Sequence, residues 1–308
     1  MLEEIIGQDL LKKSINVAIV AAAHRNEVLR HILLVGQGGL GKTHTLEAIR
    51  KALGYRRVIT QGNRLSTPKR LHAFLTENCP LGSTPAFVII DEIHELTDDV
   101  QEELYYPMDH GKIVGVGEEI FLGPFCLAGA TTSPDELDGK SLMNRFGYYW
   151  TLEELCAWDL MMLLHKFLEK QKLAGTLDAI RCIGFRSRGN PRLALRYIRR
   201  AIDFSSYDNR REVTLSDVEK MFSEFGVDDK GLDKIQRKYL TILYESDKPL
   251  GKEALANTLG ELRPAQLTKM VEPYLWKMGY IRSTTQGREL TEAGFQHIAS
   301  SSGFAGEL

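Results

Sequence analysis

The stretch HILLVGQGGLGKTH, His31 to His44, runs from an apolar segment through a cluster of glycines into a Lys-Thr pair. It satisfies the spacing G-x-x-x-x-G-K-[ST] with Gly36, Gly41, Lys42 and Thr43. Each residue type has a mechanical reason for its place. Glycines let backbone N–H groups converge on phosphate, the helix that follows presents its positive end, Lys42 reaches the β- and γ-phosphates, and Thr43 offers a hydroxyl to magnesium. A chance glycine-rich turn would satisfy the letters but not the setting. Here the motif follows a predicted strand and opens a predicted helix, so it reads as a grip on a nucleoside triphosphate, with ATP and Mg2+ the expected pair.

Outward from this loop, the first half of the chain alternates short apolar runs with helical patterns, the signature of a parallel sheet flanked by helices. Strand candidates are HILLV (31 to 35), RRVIT (56 to 60), AFVII (86 to 90) and FCLAGA (125 to 130). Lys42 to Leu53 sets Leu46, Ile49 and Leu53 on one helical face and meets a C-cap at Gly54; Thr67-Pro68 and Thr97-Asp98-Asp99 open two further helices. From Glu153 only helical patterns remain, through about Phe225. The polar, glycine-bearing FGVDDKGLDK (225 to 234) marks a second boundary, and beyond it three short helices and the extended pieces of YIRSTTQGREL (280 to 290) follow the plan of a winged helix. The expected divisions are a nucleotide-binding α/β domain over 1–151, a helical lid over 152–227, a winged helix over 228–300 and a frayed tail over 301–308.

A second chemical station belongs at another strand tip. FVIIDEIHEL delivers Asp91 and Glu92 there, Asp91 to support magnesium and Glu92 to polarise the attacking water. An Asp-Glu pair alone is more often a charged turn; beside a phosphate loop it gains meaning. CLAGATTS places Thr131 and Thr132 where a hydroxyl could sense the γ-phosphate, a role that competes with capping the next turn. In SLMNRFG, Arg145 is suited to neutralise the transferring phosphoryl group of a neighbouring subunit, and in SRGNPRLALR, Arg192 follows Pro191 at a helix start and can reach phosphate within its own subunit. This order of stations is that of an AAA+ ATPase.

Composition narrows the rest. The 308 residues carry a net charge of −2, so DNA cannot be held by bulk positive charge and any such contact must be local. Arginines recur between Arg181 and Arg211, read mainly as solvated helix faces. Cys79, Cys126, Cys156 and Cys182 have no metal-ligand spacing and are expected as reduced, mostly buried thiols. VAIVAAA (17 to 23) is too short to span a bilayer, and a cytoplasmic protein without membrane contact is expected.

Taken together, EEIIGQ, ILLVGQGGLGKT, IIDEIHEL, LYYPMD, AGATTSP, NRFG, GNPRLALR and EPYLWKMGYI resemble, in order and over about Glu3 to Ile298, the RuvB family of Holliday-junction branch-migration motors. The resemblance implies a homo-hexameric ring around duplex DNA or a four-way junction, with ATP at subunit interfaces and a RuvA-like partner. It implies a nucleotide site made by Ile6, Gly36, Gly38, Gly39, Leu40, Gly41, Lys42, Thr43, His44, Thr131 and Arg192. Arg145 is then the trans arginine, and Arg288, with Arg282 nearby, meets DNA from the wing. Departures are specific: GQGG stands where the family has two prolines, and Met143, Ser283 and Gln286 where it has arginines. The stretch from Gly111 to Phe125 is short for the partner-docking hairpin, with most of its apolar tip missing. Two other readings compete with the motor: an AAA+ loader or remodelling switch acting without branch migration, and a DNA-binding protein with a merely structural nucleotide site.

Overall fold

The computed structural model describes residues 2–114, 118–137, 139–260 and 262–301. Two compact units divide the chain, Met1–Arg199 and Arg200–Leu308. In the first, the strands are β1 (Ile32–Val35), β2 (Arg56–Gln61), β3 (Ala86–Asp91), β4 (Lys112–Val114), β5 (Glu119–Phe121), β6 (Phe125–Thr131), β7 (Tyr148–Thr151) and the two-residue β8 (Ala174–Gly175).

Five of them form one sheet in the order β2-β3-β6-β1-β7, and every pairing is parallel. β1 lies between β6 and β7, with Val35 opposite Thr131 and Thr151. Both faces are covered. Leu33, Val35, Val88, Ile90 and Leu127 pack into one apolar cluster, while Ile32, Leu34, Phe87, Ile89, Cys126 and Ala128 pack into another. Burial on two sides is why these strands read as unbroken apolar runs rather than as alternation. Because all five run the same way, their C-terminal tips lie along one edge, where ligands of open α/β sheets bind.

The four expected strands are all present, but β7 adds a fifth. Its burial alternates, with Trp150 buried and Tyr149 47% exposed, as suits an edge strand covered on one side. So short a segment carries too few alternating positions to be read from pattern alone. The helix Lys42–Leu53 ends where expected, with Gly54 at φ 68°, and Thr67 caps Pro68–Asn78 by accepting from the Arg70 N–H. Thr97 precedes Asp98–Glu103 without a side-chain cap bond. Among the described residues no helix is long and apolar enough to cross a membrane. None of the four cysteines is in a disulfide; Cys79 and Cys126 are buried, Cys182 is half-buried, and Cys156 is exposed, so burial extends to fewer of them than expected.

The region read as wholly helical also contains β8 and a second two-residue strand, β9 (Glu212–Val213). Within the second unit, helix Leu215–Phe225 leads to Lys234–Tyr244, Lys252–Leu259 and a run from Pro264 to Lys277 that widens into a π-helical turn at Leu267–Val271. The hairpin β10 (Ile281–Thr284) and β11 (Gly287–Leu290) follows, with Ile281 opposite Leu290. Leu250 pairs with Arg288 as a third, single-residue strand. A further helix, Glu292–Ser301, lies beyond the expected hairpin, and Ile298 joins the core of Leu232, Tyr239, Leu240, Leu255, Leu267 and Leu275. The expected tail beyond Ser301 falls outside the described residues.

Asp217 anchors this unit's first helix. Its carboxylate is fully buried and accepts from Arg210 Nη1 (2.9 Å) and Nη2 (2.5 Å), the Thr214 N–H (2.8 Å) and the Thr214 hydroxyl (2.8 Å). The Arg210 guanidinium, helped by Thr214, holds its pKa down at about 2, from 3.8. A depressed carboxyl pKa stabilises above the unfolded value, and the gain is lost as pH falls through the folded one. Because Arg210 is itself partly exposed to screening solvent, the contribution is about 1–2 kcal/mol. The melting-temperature gap between the unaltered chain and Asp217→Asn should therefore be full at pH 6 and close between pH 4 and pH 2.

Candidate functional site

The phosphate loop joins the buried tip of β1 to helix Lys42–Leu53. Gly39 and Gly41 have φ 89° and 95°, conformations that side chains resist, and at Gly39 a Cβ would also sit 2.6 Å from Asn190 Oδ1. Lys42 is 6% exposed, and its Nζ donates to the Gly36 carbonyl (2.7 Å) and the Gln37 carbonyl (3.3 Å). Burial pushes the Lys42 ammonium below the ordinary lysine range, against the opposing pull of Glu92 and Asp91. The lysine thus waits in a polar nest with two carboxylates near it.

A cavity of about 430 Å³ opens above this loop, within the range of small-molecule sites, roughly 300–1,000 Å³. It is lined by Ile6, Gly38, Gly39, Leu40, Gly41, Lys42, Thr43, His44, Asp91, Glu92 and Arg192, which brings together most of the residues singled out from sequence. The Thr43 hydroxyl donates to Asp91 Oδ2 (3.1 Å), and the other Asp91 oxygen accepts from the Glu92 N–H (3.2 Å). A hydroxyl and a carboxylate side by side at the phosphate end form a donor set of hard oxygens, the chemistry Mg2+ requires. Glu92 sits in the left-handed region at φ 48°. Its carbonyl lies so close to Gly62 that a Cβ there would clash, which pins the strained turn.

Apart from Ile6, the cavity wall away from the phosphate loop and the acidic strand tip carries residues not singled out from sequence. Glu4, Ile5, Gln8, Thr45, Leu152, Leu155, Leu163, Pro191, Leu195 and Arg199 complete the lining. His44 Nε2 donates to the Glu4 carbonyl (3.2 Å), and the Glu4 carboxylate meets Lys51 (2.8 Å), which draws the N-terminal segment over the cavity. Arg199 alone carried a signal, since it lies seven residues after Arg192 on one helix, hence on the same face. Elements far apart in sequence meet the loop here. Asn190 Nδ2 donates to the Gly38 carbonyl (2.8 Å), and the Arg192 N–H to that of Gly39 (3.2 Å).

Three expected residues stand apart from the cavity lining. Gly36 contributes its carbonyl to Lys42 from beneath the loop. Thr131 is fully buried, its hydroxyl 2.9 Å from His94 Nδ1; the hydroxyl that reaches Glu92 is that of Thr132, at 3.2 Å from Oε2. Strand geometry is the reason: successive residues at the end of β6 face opposite ways, so only one threonine can face the carboxylate directly. Arg145 is held by Asp109 (2.9 Å) and the Ser141 carbonyl (2.6 Å) and stacks on Tyr105 (4.0 Å).

The nucleotide-binding sheet and the wing both have close relatives. Residues 1–152 match the model of the Holliday junction DNA helicase RuvB P-loop domain, 159–228 that of the RuvB AAA lid domain, and 229–299 that of the RuvB C-terminal winged helix domain. A Lacticaseibacillus casei protein named Holliday junction branch migration complex subunit RuvB is 36% identical, over 98% of this chain and 90% of its own. The chain belongs to the RuvB family. The Fervidobacterium nodosum RuvB is 35% identical, over 96% of this chain and 87% of its own. A solved Thermotoga maritima structure, titled as the RuvB Holliday junction branch migration motor, superposes with a TM-score of 0.82 at 32% identity and covers 96% of both chains. Met143, where the resemblance led to the expectation of an arginine, packs half-buried against the core.

In the wing the two arginines expected at DNA differ in kind. Arg282 is exposed and, among the described residues, pairs with Glu289 (2.6 Å), an ion pair weak enough to exchange partners. Arg288 is 15% exposed and makes a bidentate pair with Glu272 (3.0 and 3.2 Å), which is 1% exposed and also accepts from the Tyr239 hydroxyl (2.9 Å). Removing one partner of such a pair strands a buried charge, at a cost of about 3–5 kcal/mol. Arg288→Ala should therefore lower the unfolding free energy by several kcal/mol in urea titrations, and Arg288→Met combined with Glu272→Met should recover most of the loss, whereas Arg282→Ala should leave stability unchanged.

Proposed function

We propose that this chain is the ATP-driven subunit of a ring motor that moves DNA and drives branch migration of four-way junctions. What supports this most directly is the meeting, in one cavity, of the phosphate loop, the Asp91-Glu92 strand tip and Arg192 from the helical region, in a chain whose relatives are named for branch migration. ATP lies with its triphosphate against the N–H groups of Gly38 to Thr43. Lys42 turns from the loop carbonyls to the β- and γ-phosphates, and Arg192 reaches the γ-phosphate from the lid. Mg2+ supplies charge neutralisation when bound, and Thr43 and Asp91 are the residues that hold it. Glu92 orients and deprotonates the attacking water.

Arg145 completes the site of a neighbouring subunit in the homo-hexamer. Its ties to Asp109 and Ser141 keep it ordered at the surface until a neighbour's phosphate replaces them. We divide the labour into an ATPase domain (1–151), a lid (152–227) and a DNA-contacting winged helix (228–300) in which Arg282 meets the DNA backbone and Arg288 braces the hairpin from within. Partner docking falls to the β4–β5 hairpin. The register Lys112 to Phe121 and Val114 to Glu119 shows that a hairpin forms despite its shortness, and Val114, Ile120 and Phe121 are 52, 40 and 54% exposed, an apolar surface suited to a RuvA-like protein. The turn between the two strands, where the sequence was expected to lack most of the apolar tip, includes 115–117, outside the described residues.

Glu92→Gln keeps the shape of the carboxylate and loses the base, so it should bind ATP with unchanged affinity and hydrolyse it about 100-fold more slowly or worse in a steady-state assay. Arg145→Ala should abolish turnover while sparing nucleotide affinity, and mixing it with Lys42→Ala subunits should restore part of the activity, because each mutant supplies what the other lacks. Phe121→Asp should leave DNA-free ATP hydrolysis intact and remove the stimulation of junction unwinding by a RuvA-type protein. Turnover indifferent to every DNA, with no binding of a four-way junction, would overturn the motor reading.

A further inference from the structure

Glu92 is held at three points, and two of them come from the same strand tip. Its backbone is pinned at φ 48° against Gly62. Its Oε2 accepts from the Thr132 hydroxyl (3.2 Å) and lies 3.4 Å from His94 Nδ1. His94 Nδ1 is in turn 2.9 Å from the hydroxyl of Thr131, which is fully buried and also accepts the Ser133 N–H (3.0 Å). Neighbouring threonines, Thr131 at the end of β6 and Thr132 just beyond it, therefore converge on one carboxylate oxygen, Thr132 directly and Thr131 through the imidazole. Oε1 accepts no hydrogen bond among the described residues.

From this geometry we infer that His94 is a positioning residue for hydrolysis: it transmits the fixed position of Thr131 to Glu92 Oε2, so that Oε1 alone is left for the attacking water. The inference rests on the proposed ATPase reading of the same site. With its hydrogen on Nδ1 the imidazole donates to the Thr131 hydroxyl oxygen and presents that positive edge to the Glu92 carboxylate, an acceptor-only group that the lone pair of the other tautomer would repel. Thr131 Oγ1 is the hydrogen-bond partner of that nitrogen (2.9 Å), and Glu92 Oε2 lies within ion-pair range of it (3.4 Å). His94 is mostly buried, its side chain 12% exposed, so the ring is confined in the orientation that makes both contacts. With one oxygen clamped from two directions, the carboxylate cannot rotate about its terminal bond without breaking both contacts. The freedom removed is the freedom that would misplace a general base by an ångström, and such errors cost orders of magnitude in rate.

Thr131 is thereby distinguished from a phosphate sensor. It does not touch the cavity; it sets the ring that sets the base. Thr132 is the hydroxyl positioned to exchange Glu92 for a phosphate oxygen when the triphosphate arrives, and His94 then remains as the contact that keeps Glu92 aimed.

The test measures ATP turnover and binding of a non-hydrolysable ATP analogue in the full chain. His94→Phe, which retains the ring and removes Nδ1, and Thr131→Val, which retains the shape and removes the hydroxyl, should each lower kcat about 10- to 100-fold with KM and analogue affinity changed by less than about twofold. The double variant should be no slower than the worse single one, since Thr131 acts through His94. His94→Asn, whose amide N–H can occupy the place of Nδ1–H, should regain most of the lost rate. Unchanged kcat in His94→Phe, additive losses in the double variant, or a fall in analogue affinity and melting temperature that His94→Asn shares would each overturn the inference. Normal turnover in the unaltered chain with any of those results leaves the ATPase reading standing; no turnover in the unaltered chain overturns both.

Discussion

A lysine ammonium buried to 6% exposure is the constraint on which this molecule's chemistry depends. The Gly36 and Gln37 carbonyls accept hydrogen bonds from the Lys42 ammonium, and Asp91 and Glu92 stand close enough to oppose the desolvation. Those acceptors exist because β1 and β3 end at the same edge of a parallel sheet, separated by β6. The two-faced apolar core fixes that edge. A shift of β1 against β6 by one residue would exchange the buried faces of the sheet and move the glycine loop away from its carboxylates.

The same loop is gripped from the far side. Asn190 and Arg192 place two N–H donors on consecutive loop carbonyls, at Gly38 and Gly39, while the Leu155 N–H bonds the Gly189 carbonyl behind them. Phosphate binding uses the N–H face of the loop, and these contacts use its carbonyl face, so both can be made together. Gly39 has no room for a side chain because Asn190 and Arg192 approach it so closely. The helix that carries Arg192 is therefore in direct contact with the phosphate loop, and a change at either is felt by the other without an intervening chain of residues.

The wing follows a different economy of charge. With a net charge of −2, the chain has no positive surplus, and two arginines are committed to internal partners, Arg210 to Asp217 ahead of the wing and Arg288 to Glu272 within it. Buried pairs of this kind fix geometry more than they add stability. The bidentate Arg288–Glu272 contact, together with the backbone pairing of Arg288 and Leu250, fastens the hairpin to the helix that precedes it. Exposed Arg282 remains available to exchange its partner.

Local patterns in the sequence determined the loop, four of the five strands of the sheet, the glycine and threonine caps, and the residues at the cavity's phosphate end. Each of these depends on contacts within a few residues or on burial that a run of apolar letters reports. The edge strand Tyr148–Thr151, half-exposed and four residues long, left no comparable trace. Only the tertiary structure decided that Thr131 turns inward to His94 while Thr132 meets Glu92, because adjacent letters in a strand look alike until the partners on its two sides are known. It also decided that Arg288 is braced by Glu272 and that Leu163, Leu195 and Arg199 close the cavity. Those assignments depend on distances between residues far apart in the chain, and such distances are set by packing, to which no short stretch of sequence has access.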